Sequence, residues 1–164
     1  MQIREYAPAD HDALVALIAA FRVELAAFRG HEREPNLAAA ADEFQEYLDQ
    51  EFPIFIAEDD NTGQKVGYLV CRKDGTILWG ESLFVSPEFR RRGVAGMLYA
   101  AGEDLAQQLG EPTIYNWVHP NNNAIIAFLK TRGYDTLNLI EIRRALPEDK
   151  RSTRLRIGDH DYWY

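Results

Sequence analysis

Apolar positions along this chain switch period several times, and each switch delimits an element. Residues 3–6 read as a short strand ended by Pro8, and Asp10 then stands where a side chain can accept from the free amides of a helix start. Leu14, Leu17, Ile18, Phe21, Leu25 and Phe28 recur at three- and four-residue steps, so they form one buried stripe of that helix. Beyond a polar loop at 30–36, an alanine-rich stretch predicts a second helix over 37–50. Strand-like runs follow. Residues 52–57 and 66–72 are apolar, β-branched and aromatic, separated by Asn61, Thr62 and Gly63, and read as a hairpin. Asp74 and Gly75 supply a second turn, and Ile77–Val85 a further antiparallel strand.

From Gly93 the helical period returns through Val94, Met97, Leu98, Ala101, Leu105 and Leu109, until Gly110 and Pro112 stop it. A strand over 113–118, a helix over Asn123–Thr131 closed by Gly133, and a strand over 137–143 come next. Residues 154–164 predict a last strand with Leu155 and Ile157 on one side, while 147–153 read equally as the start of a tail. The order is strand, two helices, three strands, helix, strand, helix, strand, an α/β pattern of the α+β kind with antiparallel strands in a central sheet flanked by about four helices. No repeat or linker interrupts it, and 164 residues with 46% hydrophobic side chains suit a single domain over 1–164.

The sharpest change of pattern lies between Val85 and Gly96, where a strand runs through three arginines into a helix. A helix start leaves backbone N–H groups without partners and carries the partial positive charge of aligned peptide dipoles. Gly93, Ala95 and Gly96 keep that end uncovered, and Arg90, Arg91 and Arg92 add counter-charge, which suits a diphosphate. The dinucleotide fingerprint requires glycine where Arg91 stands, and the nucleoside-triphosphate loop requires a lysine followed by serine or threonine, absent here. A solvated basic turn is the plainer alternative.

Composition narrows the classes. A single cysteine, Cys71, forms no intramolecular disulfide, and residues 1–29 lack the apolar core of a leader, so a reducing cytoplasm is expected. Net charge of −8 argues against nucleic acid and for a cationic partner. No apolar run reaches the roughly 18 to 20 residues of a membrane helix, so no membrane partner is expected. His11, His31, His119 and His160 lack metal-ligand spacing, and no metal is expected. Cys71, inside a strand pattern, reads as a small buried apolar residue rather than a nucleophile.

On these residues, "LFVSPEFRRRGVAG" resembles the acyl-CoA signature of the GNAT superfamily, the acetyl-CoA-dependent N-acetyltransferases. Its core is a basic or amide residue at Arg90, two free positions, Gly93, one free position and Ala95. "YNWVHPNNNAIIAFLKTRGY" resembles the family's later strand, asparagine-containing turn, helix and glycine–aromatic pair, with Asn122 at the family asparagine. The resemblance covers nearly the whole chain and implies a mixed, mostly antiparallel sheet splayed between its fourth and fifth strands to admit a pantetheine arm. It also implies that the main chain of Leu83, Phe84 and Val85 bonds pantetheine. By the same resemblance, Arg90, Arg91, Arg92, Gly93, Val94, Ala95 and Gly96 hold the diphosphate, and Asn122 steadies the coenzyme from the other side. Acetyl-CoA is the co-substrate so implied.

Acetyl transfer to an amine needs a neutral nitrogen, a polarised thioester carbonyl and a route for the leaving thiolate. Glu81, four residues before Val85, stands where many family members carry an acid. Burial in an apolar strand would tune it for proton exchange, so it is the expected general base. A wet-face acid, or one that only binds a cationic amine, is the other reading. A backbone amide near Val85 is the implied polariser. The tyrosine that often serves as general acid is replaced by Leu129, and the pattern does not aim Tyr99, Tyr115 or Tyr134 at sulfur. The implied activity is N-acetylation of a primary amine by direct attack in a ternary complex. An acyl-CoA-binding or regulatory module without turnover is the alternative, and a sheet-edge interaction domain is a third idea that predicts no coenzyme affinity. The expected acceptor is a small cationic amine, an exposed lysine or an N-terminal amine. The aromatic tail Tyr162, Trp163, Tyr164 leaves both homodimerisation and a self-folded tail open.

Overall fold

Strand β1 (Gln2–Glu5) pairs antiparallel with β2 (Ile54–Glu58), β2 with β3 (Lys65–Asp74), and β3 with β4 (Ile77–Val85). A short β5 (Ile114–Asn116) joins β4 in parallel, giving a five-stranded sheet in the order β1-β2-β3-β4-β5. The β3–β4 hairpin closes at the expected place: Asp74 faces Ile77 across a two-residue turn in which Gly75 takes φ of 62°. The computed structural model describes residues 1–147, 149, 151 and 153–163, and the chain falls into two compact units, Met1–Trp117 and Val118–Tyr164. Together they hold four α-helices among the described residues, so the fold is mixed α/β with a mostly antiparallel sheet.

In the first unit, alternation along β3 divides the two faces of the sheet. Tyr68, Val70 and their neighbour Phe84 meet α1 (His11–Phe28) and α2 (Leu37–Asp49) through Leu14, Ile18 and Phe44, all in one buried cluster. Each such side chain removed from water contributes about 1.5–3 kcal/mol. On the other face, Gly102 of α3 (Val94–Leu109) comes against Leu69, Cys71 and Ile114. Helix α2 is capped by Asn36, whose Oδ1 accepts from Ala39 N at 3.0 Å. Asp10 does not cap α1. Its buried carboxylate accepts from Ala7 N at 2.9 Å and from both terminal nitrogens of Arg4 at 2.7 and 2.8 Å. The Arg4 guanidinium, which also reaches Glu58 of β2, holds the Asp10 carboxyl below its usual range, so the charge that might have capped a helix instead ties the start of α1 to β1.

Gly67 lets β3 lie close to β4: a Cβ there would stand 2.8 Å from the Phe84 carbonyl oxygen and 3.3 Å from Val85 Cα. Backbone cannot rotate away as a side-chain tip can. Gly67→Ala is therefore expected to lower unfolding free energy by about 1–3 kcal/mol, the usual cost of overpacking, in a urea titration. A change below about 0.5 kcal/mol, the scatter of surface substitutions, would contradict that contact.

In the second unit, α4 (Asn123–Thr131) begins at Asn122, whose Oδ1 accepts from Ile125 N at 3.2 Å. Two expectations fail here. Residues 137–143 form no strand: Leu137, Leu139, Ile140 and Ile142 are exposed, and the ladder partner a strand needs is not present in this unit among the described residues. Nor is 154–164 one strand. It folds as a hairpin of β6 (Arg154–Ile157) and β7 (His160–Trp163), turned by Gly158 at φ 60° and Asp159. The Arg154 guanidinium lies 5.9 Å from the Trp163 ring, so this tail packs on itself within its unit, and Tyr164 lies outside the described residues.

Candidate functional site

β4 has two partners for part of its length and one for the rest. Leu78, Trp79 and Gly80 face Ile114, Tyr115 and Asn116 of β5, after which β5 ends and, among the described residues, Ser82–Val85 keep only β3. Gly80 makes the last step close: a Cβ there would lie 2.8 Å from Asn116 Oδ1, which accepts from the Tyr99 hydroxyl at 2.8 Å. This is the opening between the fourth and fifth strands. Which main-chain groups face it follows from the ladder. Ser86 N donates to Val66 O at 2.8 Å, so by antiparallel alternation Phe84 bonds to Tyr68 while Leu83 and Val85 turn their N–H and C=O groups outward. Of the three residues expected to line this edge, Phe84 spends its main chain on β3 and its side chain in the core.

The chain leaving β4 turns sharply before α3. A 3₁₀ turn over Pro87–Phe89 is followed by Arg90 in extended conformation, Arg91 at φ 61° and Gly93 at φ 80°. A left-handed arginine costs about 1–2 kcal/mol, and such strain persists where the surroundings or a function hold it. Positive φ at Arg91 and Gly93, with none at Arg92 between them, is the alternation of hand found in backbone anion nests. α3 then begins with no side-chain cap among the described residues, its first intrahelical bond running from Met97 N to Gly93 O at 3.0 Å. The N–H groups of Val94, Ala95 and Gly96 thus belong to the first turn, whose donors have no intrahelical acceptor.

The arginines divide their work, contrary to the expectation that all three would face this turn. Arg91 and Arg92 are exposed, with Arg92 over the Phe89 ring at 5.2 Å. Arg90 reaches back instead. Its Nε donates to Val85 O at 2.8 Å, its terminal nitrogen pairs with Glu24 of α1, and its guanidinium stands 5.4 Å from the Phe84 ring. The opening of the sheet supplies the reason, because the outward Val85 carbonyl has no strand to accept from.

Glu81 is not buried, and that expectation is corrected. Val70 faces Ser82 and Cys71 faces Gly80, so Glu81 is the extra residue of a β-bulge. Its side chain keeps 28% exposure and its Oε2 accepts from Arg72 Nε at 3.3 Å. Arg72 itself lies 5.2 Å from the rings of both Trp79 and Trp117. Arg72 was missed, although counting outward from the Asp74-Gly75 turn places it opposite Trp79.

The other candidates resolve simply. Tyr99 is buried and donates to Asn116, Tyr115 packs against Trp79 at 5.3 Å, and Tyr134 sits partly buried in the second unit. A second polar pair also went unread: the buried Tyr68 hydroxyl meets Ser82 Oγ at 2.9 Å, and burial pushes the Tyr68 phenol well above its usual range. Cys71 is fully buried and burial pushes its thiol up to about 12. It should therefore resist iodoacetamide at pH 8 in the folded protein and react at once in denaturant; rapid alkylation without denaturant would contradict that burial. Among the described residues no group of His, Cys, Asp and Glu is arranged to hold a metal, and no helix is long and apolar enough to cross a membrane.

Comparison with known proteins agrees with this geometry. The family described as Acetyltransferase (GNAT) family matches residues 17–134. A curated acetyltransferase of Pectobacterium atrosepticum is 30% identical over 103 residues, 63% of this chain and 72% of that protein. Among solved structures, a Bacillus halodurans protein superposes with TM-score 0.72 at 18% identity, over 89% of this chain and 100% of that one. The aminoglycoside N-acetyltransferase AAC(6')-Iy, bound to the bisubstrate analogue CoA-S-monomethyl-acetylneamine, gives TM-score 0.66 at 22% identity, over 88% and 97%. With the sheet opening, the uncapped α3 start and these matches together, the chain belongs to the GNAT acetyltransferase family.

Proposed function

We propose that this protein is an N-acetyltransferase that transfers the acetyl group of acetyl-CoA to a primary amine in a ternary complex, without a covalent enzyme intermediate. The observation that carries the reading is the adjacency of two unfilled sets of main-chain donors, the outward edge of β4 and the uncapped start of α3. When bound, the coenzyme supplies an activated thioester. The chain's own residues do the rest. The N–H groups of Val94, Ala95 and Gly96, with Gly93 and the exposed Arg91 and Arg92, receive the diphosphate. Leu83 and Val85 present the strand edge that a pantetheine amide can extend. With the Val85 carbonyl held by Arg90, the Val85 N–H remains to polarise the thioester carbonyl.

Glu81 takes the proton from the incoming ammonium, directly or through one water. Its bulged, partly exposed position favours access over burial, and Arg72 fixes where its carboxylate points. Leu129 leaves no tyrosine at the family's usual acid position, so solvent protonates the departing thiolate. Asn122, whose side chain caps α4, is the further residue proposed to contact the coenzyme. The catalytic domain is read as 1–164, of which the family match covers residues 17–134. The net charge of −8 supports a cationic acceptor: a small amine, an exposed lysine or an N-terminal amine, met in the cytoplasm. Leu129 at the usual acid position and Arg72's hold on Glu81 favour the alternative, a coenzyme-binding module without turnover. Thiol release across a set of amines separates the two. Release that saturates with one amine supports the enzyme, and tight coenzyme binding with no release from any amine supports the module.

A further inference from the structure

We propose that the exposed indole of Trp117, braced by Trp79 and Arg72 beside Glu81, is the platform on which the acceptor rests, and that it selects a singly charged primary amine carried on a ring whose face can stack on the indole. This deepens the functional reading and rests on it, because it takes Glu81 as the group that meets the acceptor amine.

Trp117 is 71% exposed, yet it is not a loose side chain. Its ring centroid lies 5.0 Å from that of Trp79, which is itself 5.3 Å from Tyr115, and the Arg72 guanidinium stands 5.2 Å from both indoles. An aromatic surface fixed in this way before binding loses little conformational freedom on receiving a partner. It is also in the right place. Cross-strand pairing puts Arg72 and Trp79 on one face of the sheet, the face that carries Tyr68, Val70 and Phe84, and Glu81 meets Arg72 at its rim.

Charge decides which amine fits. One ammonium is attracted by Glu81, whereas a second would approach the Arg72 guanidinium and be repelled. A long aliphatic dication gains neither stacking nor neutralisation. A ring bearing one amine gains both, by π-stacking if the ring is aromatic or through its C–H face if it is an amino sugar.

The test compares phenethylamine, glucosamine and 1,5-diaminopentane as acceptors in the native protein, Trp117→Phe and Trp117→Ala. Beside the kinetics, the Trp117 indole N–H resonance is followed by NMR during a phenethylamine titration. The expected result is a preference for ring amines over the diamine. Trp117→Ala should raise KM for the preferred ring amine about three- to tenfold with kcat little changed, and Trp117→Phe should restore most of it. The larger loss, for phenethylamine or for glucosamine, then names the kind of ring. An unchanged KM in Trp117→Ala, or a diamine preferred by the native protein, would overturn the proposal. So would a Trp117 resonance unmoved by phenethylamine, a readout that needs no turnover. Failure of the coenzyme to bind defeats the acetyltransferase reading instead, and so the two failures are told apart.

Discussion

Ala95→Asp is expected to raise the dissociation constant for CoA by more than about 100-fold while the melting temperature holds or rises, opposite movements that few other mechanisms produce together. An acidic side chain in the first turn of α3 interacts favourably with the helix dipole, by about 0.3–1 kcal/mol, and offers an acceptor to a helix start that has no side-chain cap. The same carboxylate competes for the amides of Val94–Gly96 and repels a diphosphate. Losing two charge-assisted hydrogen bonds at about 1.5–3 kcal/mol each accounts for the expected loss of affinity. Ala95→Asn, similar in shape and uncharged, should retain more of it. Isothermal calorimetry with a thermal melt of each variant reads both quantities, and unchanged affinity in Ala95→Asp would detach the coenzyme from this helix start.

Glu81→Gln is expected to lower kcat by about 10²- to 10⁴-fold, the range of general-base catalysis, while CoA binds as before. The fold should tolerate the change. Glu81 is partly exposed and its single 3.3 Å bond to Arg72 is of a kind worth at most about 1 kcal/mol. Equal rates across the pH range would remove Glu81 from the chemistry and leave it as a cation-binding group.

Much of this architecture is legible in the residue pattern, and the gaps have physical causes. Elements whose periods are set by local chemistry are visible: the Asp74-Gly75 turn, the α3 stripe from Val94 to Leu109 stopped by Gly110, and the helix over Asn123–Thr131 closed by Gly133. The uncapped helix start behind Gly93 is visible for the same reason, since glycine at a positive φ and small residues after it leave a trace in sequence. What depends on pairing at a distance does not. Residues 137–143 carry a strand's composition, but a strand exists only against a partner. The bulge that exposes Glu81 is a register shift between Val70 and Cys71, invisible along either strand alone, and it turned an expected buried carboxylate into one held by Arg72. Arg90 behaves likewise: its motif position marks it for phosphate, while the opened sheet offers it the Val85 carbonyl.

An NMR titration of ¹⁵N-labelled protein with CoA reads the anion-binding helix start itself. The backbone amides of Val94, Ala95 and Gly96 should shift furthest among all residues, with Leu83 and Val85 next, and saturate together with the heat measured by calorimetry. Shifts confined to other parts of the chain, with these five amides unmoved at saturating CoA, would contradict it.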